Sequence, residues 1–312
     1  MSNVLRIGAR PSALALAQAA IIKQALGRLL PDLAAAIVPI RTSGDRLTTA
    51  SLAQVGGKGL FIRELEEALS AKRIDLAVHS MKDLPAILDP QYRIAAVPAR
   101  ENPCDALITR SDGGWEALKR GARLGTSSAR RRLETLRLRP DLQILPLRGN
   151  VDTRLARLAA GDFDAIVLAM AGLRRLGRDG GAYLTELDQE VFIPAAGQGA
   201  LALEVLADQT PAESVEIEQA IGRLNDPLTE AEVTAERSLL ATIGASCVSP
   251  IGVKGAASGG RLTLRALLFS LDGSRSIAET AAQHGFANAA ALGVALGKRM
   301  IERGAAEMIA DG

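Results

Sequence analysis

Ile193-Pro194-Ala195-Ala196-Gly197-Gln198-Gly199 runs directly into the apolar stretch Ala200–Leu206. A proline and two glycines among small residues neither continue a helix nor pair well in a sheet, so the stretch reads as a crossing that delivers the chain into a strand. Pro98–Pro103 is its counterpart upstream, polar and bounded by two prolines. Two crossings mean that the chain leaves a first domain, builds a second and comes back. That arrangement makes a two-lobed clam with a cleft and a hinge.

Upstream of the first crossing, short apolar runs alternate with helical patterns. Val4–Ile7 reads as a strand and Gly8-Ala9-Arg10-Pro11 as a turn. Ser12 then caps a helix to about Leu30, with Ile22, Leu26 and Leu29 on one face. Ala36–Arg41 is the next strand. The glycine-rich turn Val55-Gly56-Gly57-Lys58-Gly59 leads into a helix from about Phe61 to Ala71, and Ile74–Val78 and Tyr92–Val97 read as strands. Between the crossings come strands near Ala106–Thr109, Gln143–Pro146 and Asp164–Ala169, with helices over Ala129–Leu138 and Val151–Ala160. The alternation predicts α/β lobes with mixed, mostly parallel sheets. After Asn225-Asp226-Pro227 a helix over Thr229–Ile243, an irregular loop over Gly244–Gly252, the alternating strand Arg261–Leu267 and a helix over Ala289–Arg303 predict a small C-terminal α+β domain. The expected units are 1–98 with 200–224, then 99–199, then 225–312.

Charge narrows the function. Arginine outnumbers lysine thirty to seven, and between Arg123 and Arg178 there are twelve arginines, no lysine and five acidic residues. A guanidinium is a rigid fork that grips carboxylate or phosphate through two bonds, which an ammonium does not. The chain as a whole is near neutral, at +2, and the arginine-rich stretch holds one aromatic residue, Phe163. A nucleic-acid binder would show a broader basic footprint with stacking aromatics, so a small poly-carboxylate or polyanion is the better ligand. The apolar stretches are broken before a membrane span of about 20 residues could form. The N-terminus lacks the apolar core of a secretory signal, and two distant cysteines do not indicate a disulfide scaffold. The expectation is a cytoplasmic protein with neither nucleic-acid nor membrane partner.

No phosphate loop or dinucleotide fingerprint is present, and two histidines, His79 and His284, make a clustered metal site improbable. His79 alone reads as a hydrogen-bonded structural residue. Asp83 follows a strand in His79-Ser80-Met81-Lys82-Asp83-Leu84-Pro85, where strand ends face a ligand crevice. A carboxylate beside Lys82 and near arginines stays ionised and could stabilise a developing cation; a helix cap or surface ion pair is the plainer alternative. Thr126-Ser127-Ser128-Ala129-Arg130-Arg131 and Arg148-Gly149-Asn150-Val151-Asp152-Thr153-Arg154 each join a strand end to a helix start, where hydroxyls and open N–H groups form an anion cradle. The plainer alternative is two capped helices with solvated basic faces. Cys247 lies in a small-residue loop an electrophile can reach, whereas Cys104 sits at a strand start.

Taken in order, Arg10-Pro11-Ser12, Val55–Phe61, Ala77–Asp83, Gly125–Ser128, Leu147–Val151, Ala171–Gly177 and Pro194–Gly199 resemble the porphobilinogen deaminase (hydroxymethylbilane synthase) family over essentially the whole chain. The resemblance implies two lobes similar to periplasmic-type binding proteins. It also implies a dipyrromethane cofactor, made from substrate and held by a thioether to Cys247, the cysteine of Glu236-Arg237…Cys247-x-x-Pro250-Ile251-Gly252. The implied reaction condenses four porphobilinogen molecules head to tail into hydroxymethylbilane with release of ammonia, and the expected state is a monomer. Asp83 is the expected catalytic residue. Arg10, Ser12, Lys82, Arg130, Arg131, Arg148, Arg154 and Arg175 are expected around the ligand carboxylates. Thr126, Ser127, Ser128, Gly149, Asn150 and Gln198 complete the pocket, and Lys58 lies in a loop over it. Ala245 and Ser249 depart from the family, which usually has glycine and a branched apolar residue there; neither change removes the thiol. The rival readings are a non-enzymatic two-lobed binder of a poly-carboxylate, which would need neither Cys247 nor a third domain, and an anion-sensing regulatory module.

Overall fold

Each lobe is organised around a strand that enters directly from a crossing. The computed structural model describes residues 4–42, 62–180, 183–246 and 248–310; Lys58 and its glycine-rich turn, and Cys247, lie outside them. The first lobe contains β1 (Leu5–Ala9), α1 (Ala13–Leu29), β2 (Ala35–Pro39), α2 (Arg63–Ser70), β3 (Leu76–Ser80), a 3-10 turn at Met81–Asp83 and β4 (Tyr92–Ala96). The second contains β5 (Asp105–Thr109), β6 (Arg123–Gly125), α3 (Ala129–Leu138), β7 (Gln143–Leu145), α4 (Val151–Ala159), β8 (Ala165–Ala169), α5 (Met170–Arg175) and β9 (Leu184–Glu186). The chain then returns through β10 (Leu201–Leu206), which inserts into the first sheet, and continues into α6 (Val215–Gly222).

The sheet orders are β2-β1-β3-β10-β4 and β7-β6-β8-β5-β9. In both, the fourth position belongs to the strand fed by a crossing, and that strand is antiparallel to both neighbours. The remaining pairs, β1 with β2 and β3, and β6 with β7 and β8, are parallel. The two lobes therefore share one topology, traversed from opposite entry points. Alternating strands and helices account for the parallel pairs. The antiparallel pairs follow from the crossings, because a chain arriving from the other lobe enters its sheet against the grain.

Continuous apolar runs at the sheet centres are buried on both faces, as in Leu76–Val78 and Ala165–Leu168. On α1, Ile22 and Leu26 are buried against Ile7, Val78 and Leu203, which fixes the helix by its predicted apolar face. The third unit packs α7 (Pro227–Ile243), α8 (Ala289–Glu302) and α9 (Ala305–Ala310) on the antiparallel meander β11 (Ile251–Ser258), β12 (Arg261–Phe269) and β13 (Ser276–His284).

Two glycines permit approaches that a side chain would block. The crossings touch at Gly199, whose φ is +89° and whose hypothetical β-carbon would lie 2.2 Å from the Glu101 carbonyl oxygen. Where α8 crosses α7, a β-carbon on Gly293 would lie 2.2 Å from the Ala235 carbonyl oxygen. Alanine is the better helix former by about 1 kcal/mol, but here it would push against backbone that cannot rotate away. Gly293→Ala is expected to destabilise the protein by about 2 kcal/mol, read as a lower urea midpoint at unchanged slope; an unchanged midpoint would show that the helices have room to part.

Candidate active site in the cleft between the lobes

Most of the described residues singled out in the sequence lie just beyond the carboxyl ends of β1, β3, β6, β7 and β8, the edge at which open α/β sheets bind ligands, with Arg175 on α5 and Gln198 in the return crossing. In lobe 1, Arg10, Ser12, Gln18, His79, Ser80 and Asp83 line one small cavity. Asp83 closes the 3-10 turn after β3 and is exposed. Ser12 caps α1, its hydroxyl accepting the Ala15 N–H. His79 is inside the sheet, with Nε2 2.9 Å from the buried Glu204 carboxylate. It fills the structural role its isolation implied.

In lobe 2 the side chains at the two helix starts act as the plainer reading has it, as caps and turn bonds. Ser128 and Asn150 cap α3 and α4 through their side-chain oxygens, and the Ser127 hydroxyl donates to the Leu147 carbonyl. The Thr126 hydroxyl oxygen accepts the Ser128 N–H. Gly149 has φ +110°, and its carbonyl accepts the Arg154 Nε–H at 2.7 Å. These groups shape the cradles and consume part of their hydrogen-bonding capacity.

The arginines separate by environment. Arg130 is buried between two carboxylates, Asp105 at 2.7 Å and Glu134 at 2.9 Å, with the Ile193 carbonyl accepting a third bond. Arg131 grips Asp105 through Nε and Nη2. Arg154 rests on the neutral Gly149 carbonyl; burial, then the charge of Arg131, lowers its pKa to about 10. Burial also lowers the pKa of Arg175, whose Nη2 donates to the Gly199 carbonyl at 2.6 Å. Burial, then the charge of Arg131, lowers Lys82 to about 8. Arg148 is half-buried beside Gly149. Arg131, Arg154 and Lys82 thus crowd like charge into a partly desolvated cleft, an arrangement that an incoming carboxylate relieves. That is the chemistry a poly-carboxylate pyrrole chain requires, so the residues present fit such a group.

Sequence reading overlooked the carboxylates that organise these cations. Asp105 is fully buried at the head of β5, with only an adjoining cysteine and a proline to mark it. Glu232 and Glu236 stand one turn apart on α7, a spacing that points both at one neighbour. Both accept from Arg100 Nη1, at 3.1 and 2.7 Å, and Glu236 also accepts the Gly197 and Gly255 N–H groups. The third unit is therefore tied to the outbound crossing through Arg100 and to the return crossing through Gly197. Around position 247, Ala245 packs in the core of the third unit and the Ser249 hydroxyl accepts the Ser246 N–H, so both departures from the family pattern have local contacts. Among the described residues, no group of three or more His, Cys, Asp or Glu side chains could hold a metal ion, and no helix is long and apolar enough to cross a membrane.

Comparison with known proteins joins these features. The family description "Porphobilinogen deaminase, dipyromethane cofactor binding domain" matches residues 5–214, and "Porphobilinogen deaminase, C-terminal domain" matches residues 230–302. The chain belongs to the porphobilinogen deaminase family. The porphobilinogen deaminase of Syntrophobacter fumaroxidans is 43% identical over 99% of this chain and 98% of its own length. That of Sorangium cellulosum is 49% identical over 88% and 90%, and that of a Roseiflexus species 43% over 99% and 100%. Among solved structures, the periplasmic VFT2 domain of Bordetella pertussis BvgS aligns with 72% of this chain and 94% of its own at 17% identity and a TM-score of 0.40. Membership of the porphobilinogen deaminase family selects the enzymatic reading over the two-lobed binder, and the cofactor-binding description spans the cation-lined cleft.

Proposed function

We propose that this porphobilinogen deaminase condenses four porphobilinogen molecules head to tail, releasing ammonia, on a dipyrromethane primer joined by a thioether to Cys247. The observation that carries the proposal is the grouping of Arg131, Arg154 and Lys82 at largely buried positions, with Asp83 beside Lys82 on the 3-10 turn, inside the residues that match the family's cofactor-binding domain. Bound there, the dipyrromethane supplies the pyrrole carbon to which units are added. Arg10, Arg131, Arg148, Arg154, Arg175 and Lys82 hold the acetate and propionate groups, with Arg130 stiffening its neighbour. Ser12, Thr126, Ser127, Ser128, Gly149 and Asn150 set the shape of the pocket, Gln198 links the lobes, and Lys58 belongs to the segment over the site.

Asp83 carries the chemistry. Loss of ammonia leaves a substrate-derived cationic methylene-pyrrole, and a carboxylate held in place by its turn lowers the free energy of that cation. The same carboxylate can accept or return a proton at a pyrrole nitrogen or α-carbon. The three sheets support a division into 1–98 with 200–224, 99–199 and 225–312, and the reading is of a monomer acting in the cytoplasm.

The intact mass of the denatured protein tests the reading. A covalent adduct of two pyrrole units that survives denaturation is expected. A chain of unmodified mass that still assembles the linear tetrapyrrole from porphobilinogen at full rate would overturn the tethered-primer proposal.

A further inference from the structure

Four hydrogen bonds converge on the Asp105 carboxylate. Arg130 Nη1 donates to Oδ2 at 2.7 Å, and Arg131 donates to Oδ1 from Nε at 3.0 Å and from Nη2 at 2.7 Å. Gln198 Nε2 donates to Oδ1 at 3.0 Å and also to the Pro103 carbonyl at 2.7 Å. Oε1 of the same amide accepts from Lys82 Nζ at 3.2 Å. Asp105 and Gln198 are both buried. The connection therefore runs from the lobe 1 turn bearing Asp83, through the return crossing, into the first residue of β5 and on to α3.

We propose that Asp105 is a positioning residue of the cleft: through its own oxygens and the Gln198 amide it holds the Arg130–Arg131 pair of lobe 2 and the Lys82 ammonium of lobe 1 as one cationic unit across the hinge. The inference rests on the family reading above and extends it to residues that no ligand needs to touch. A free pair of arginines would splay to minimise repulsion; a carboxylate shared between them fixes both guanidinium planes. Arg130 and Arg131 carry two positive charges against Asp105 and Glu134, and burial raises the Glu134 carboxyl to about 7, so the two acids offset the arginines only in part and leave positive potential for a ligand carboxylate. Gln198 is suited to the link because an amide donates on one side and accepts on the other.

The charge on Lys82 depends on the same unit. The groups facing it are Arg130 and Arg131 from α3, which disfavour its proton, and Asp83 and Asp105, which favour it. With a pKa of about 8 the ammonium is mostly charged at neutral pH. Removing the Asp105 charge, or the Gln198 acceptor, lowers that pKa further, so Lys82 loses its proton nearer to neutral pH.

The test uses cofactor-loaded protein, with loading read by intact mass and folding by thermal unfolding. Asp105→Asn and Gln198→Met are compared with the parent. Lys82 is titrated by carbon-13 NMR after reductive methylation, its signal identified by its loss in Lys82→Arg. Both variants are expected to shift the Lys82 midpoint below the parent's. Both should raise KM for porphobilinogen roughly tenfold to a hundredfold, with kcat falling less, and move the alkaline limb of kcat/KM to lower pH. A folded, loaded variant with parental Lys82 midpoint and KM overturns the inference. Should Asp105→Asn fail to fold, Gln198→Met, which leaves the carboxylate and both arginines in place, decides alone. A parent that does not turn over porphobilinogen defeats the family reading; an active parent matched by its variants defeats this inference alone.

Discussion

Asp83→Asn is expected to bind porphobilinogen and keep its dipyrromethane while turnover falls by about 10²–10⁴-fold. The reasoning starts from the backbone. Asp83 ends the 3-10 turn that follows the central strand β3, so its Cα is fixed by a fully paired sheet. It shares a cavity with Arg10, Ser12 and Ser80, on the side where Lys82 joins the interlobe network. Asparagine preserves size and hydrogen-bonding shape but removes the negative charge. Ligand carboxylates would then meet a more positive cleft and bind as well or better. The cation left by ammonia loss loses its counter-charge, and no proton can be held at that point. The decisive pattern is a split between intact-mass loading, which stays, and kcat, which collapses. Comparable losses of both would make Asp83 a structural residue, and normal turnover would remove it from the chemistry.

That result would also weigh the parts of the site that were legible in advance. His79–Pro85 could be read because β3 is a continuous apolar run ended by polar residues and a proline, a pattern with few alternative folds. The caps Ser12, Ser128 and Asn150 were legible for the same reason, since a hydroxyl or amide before an apolar period marks a helix start. Shared lobe topology was not legible. It is a property of strand order, and the sequence carries no repeat to announce it. β6 and β9 span three residues each and hold one apolar residue apiece, Leu124 and Leu184, whereas the equally short β7 carries Ile144 and Leu145. β13 escaped because Ser-Ile-Ala-Glu-Thr-Ala-Ala-Gln-His buries one large apolar side chain, Ile277, and takes its register from β12. β11 begins with Ile251 and Gly252, two residues that the small-residue composition before them had assigned to a loop.

The arginines teach a finer lesson. Sequence composition identified a cationic stretch but could not separate Arg130, bonded to two buried acids, from Arg154, which rests on a neutral carbonyl and feels the like charge of Arg131. The separation depends on Asp105 and Glu134. A lone Asp at a strand start and a Glu inside a helix look like ordinary surface charges until packing buries them. Their burial without partners would cost several kcal/mol each, so acids and arginines must have been placed together. Carboxylates in this fold therefore act twice: Glu232 and Glu236 bolt the third unit to the crossings, and Asp105 sets the cations of the cleft.

Cys247→Ser is expected to give a protein of unmodified mass that folds but makes no linear tetrapyrrole. Serine matches cysteine in size, so the substitution tests chemistry. A thiol gives up its proton near pH 8.5, whereas an alcohol stays protonated at any pH the fold tolerates, so sulfur is by far the stronger nucleophile towards a cationic pyrrole methylene and its thioether the more lasting tether. The helix α7 ends at Gly244 in a left-handed cap that stops it three residues before position 247, and β11 resumes regular structure at Ile251. The segment bearing the thiol is thus anchored at both ends by elements of the third unit. Glu236 on the same helix is bonded to the crossings, which carries the anchor to the hinge between the lobes. A primer tethered there would stay registered to the hinge while the lobes adjust to a lengthening chain. Without the tether, porphobilinogen still finds its arginines but has nothing fixed to add to, so substrate binding should survive where synthesis is lost. Cys104 cannot substitute, since it is buried and its thiol pKa is pushed up to about 12 by burial and by Glu186. An adduct persisting in Cys247→Ser, or synthesis at the parental rate, would move the attachment point elsewhere and with it the whole geometry of chain growth.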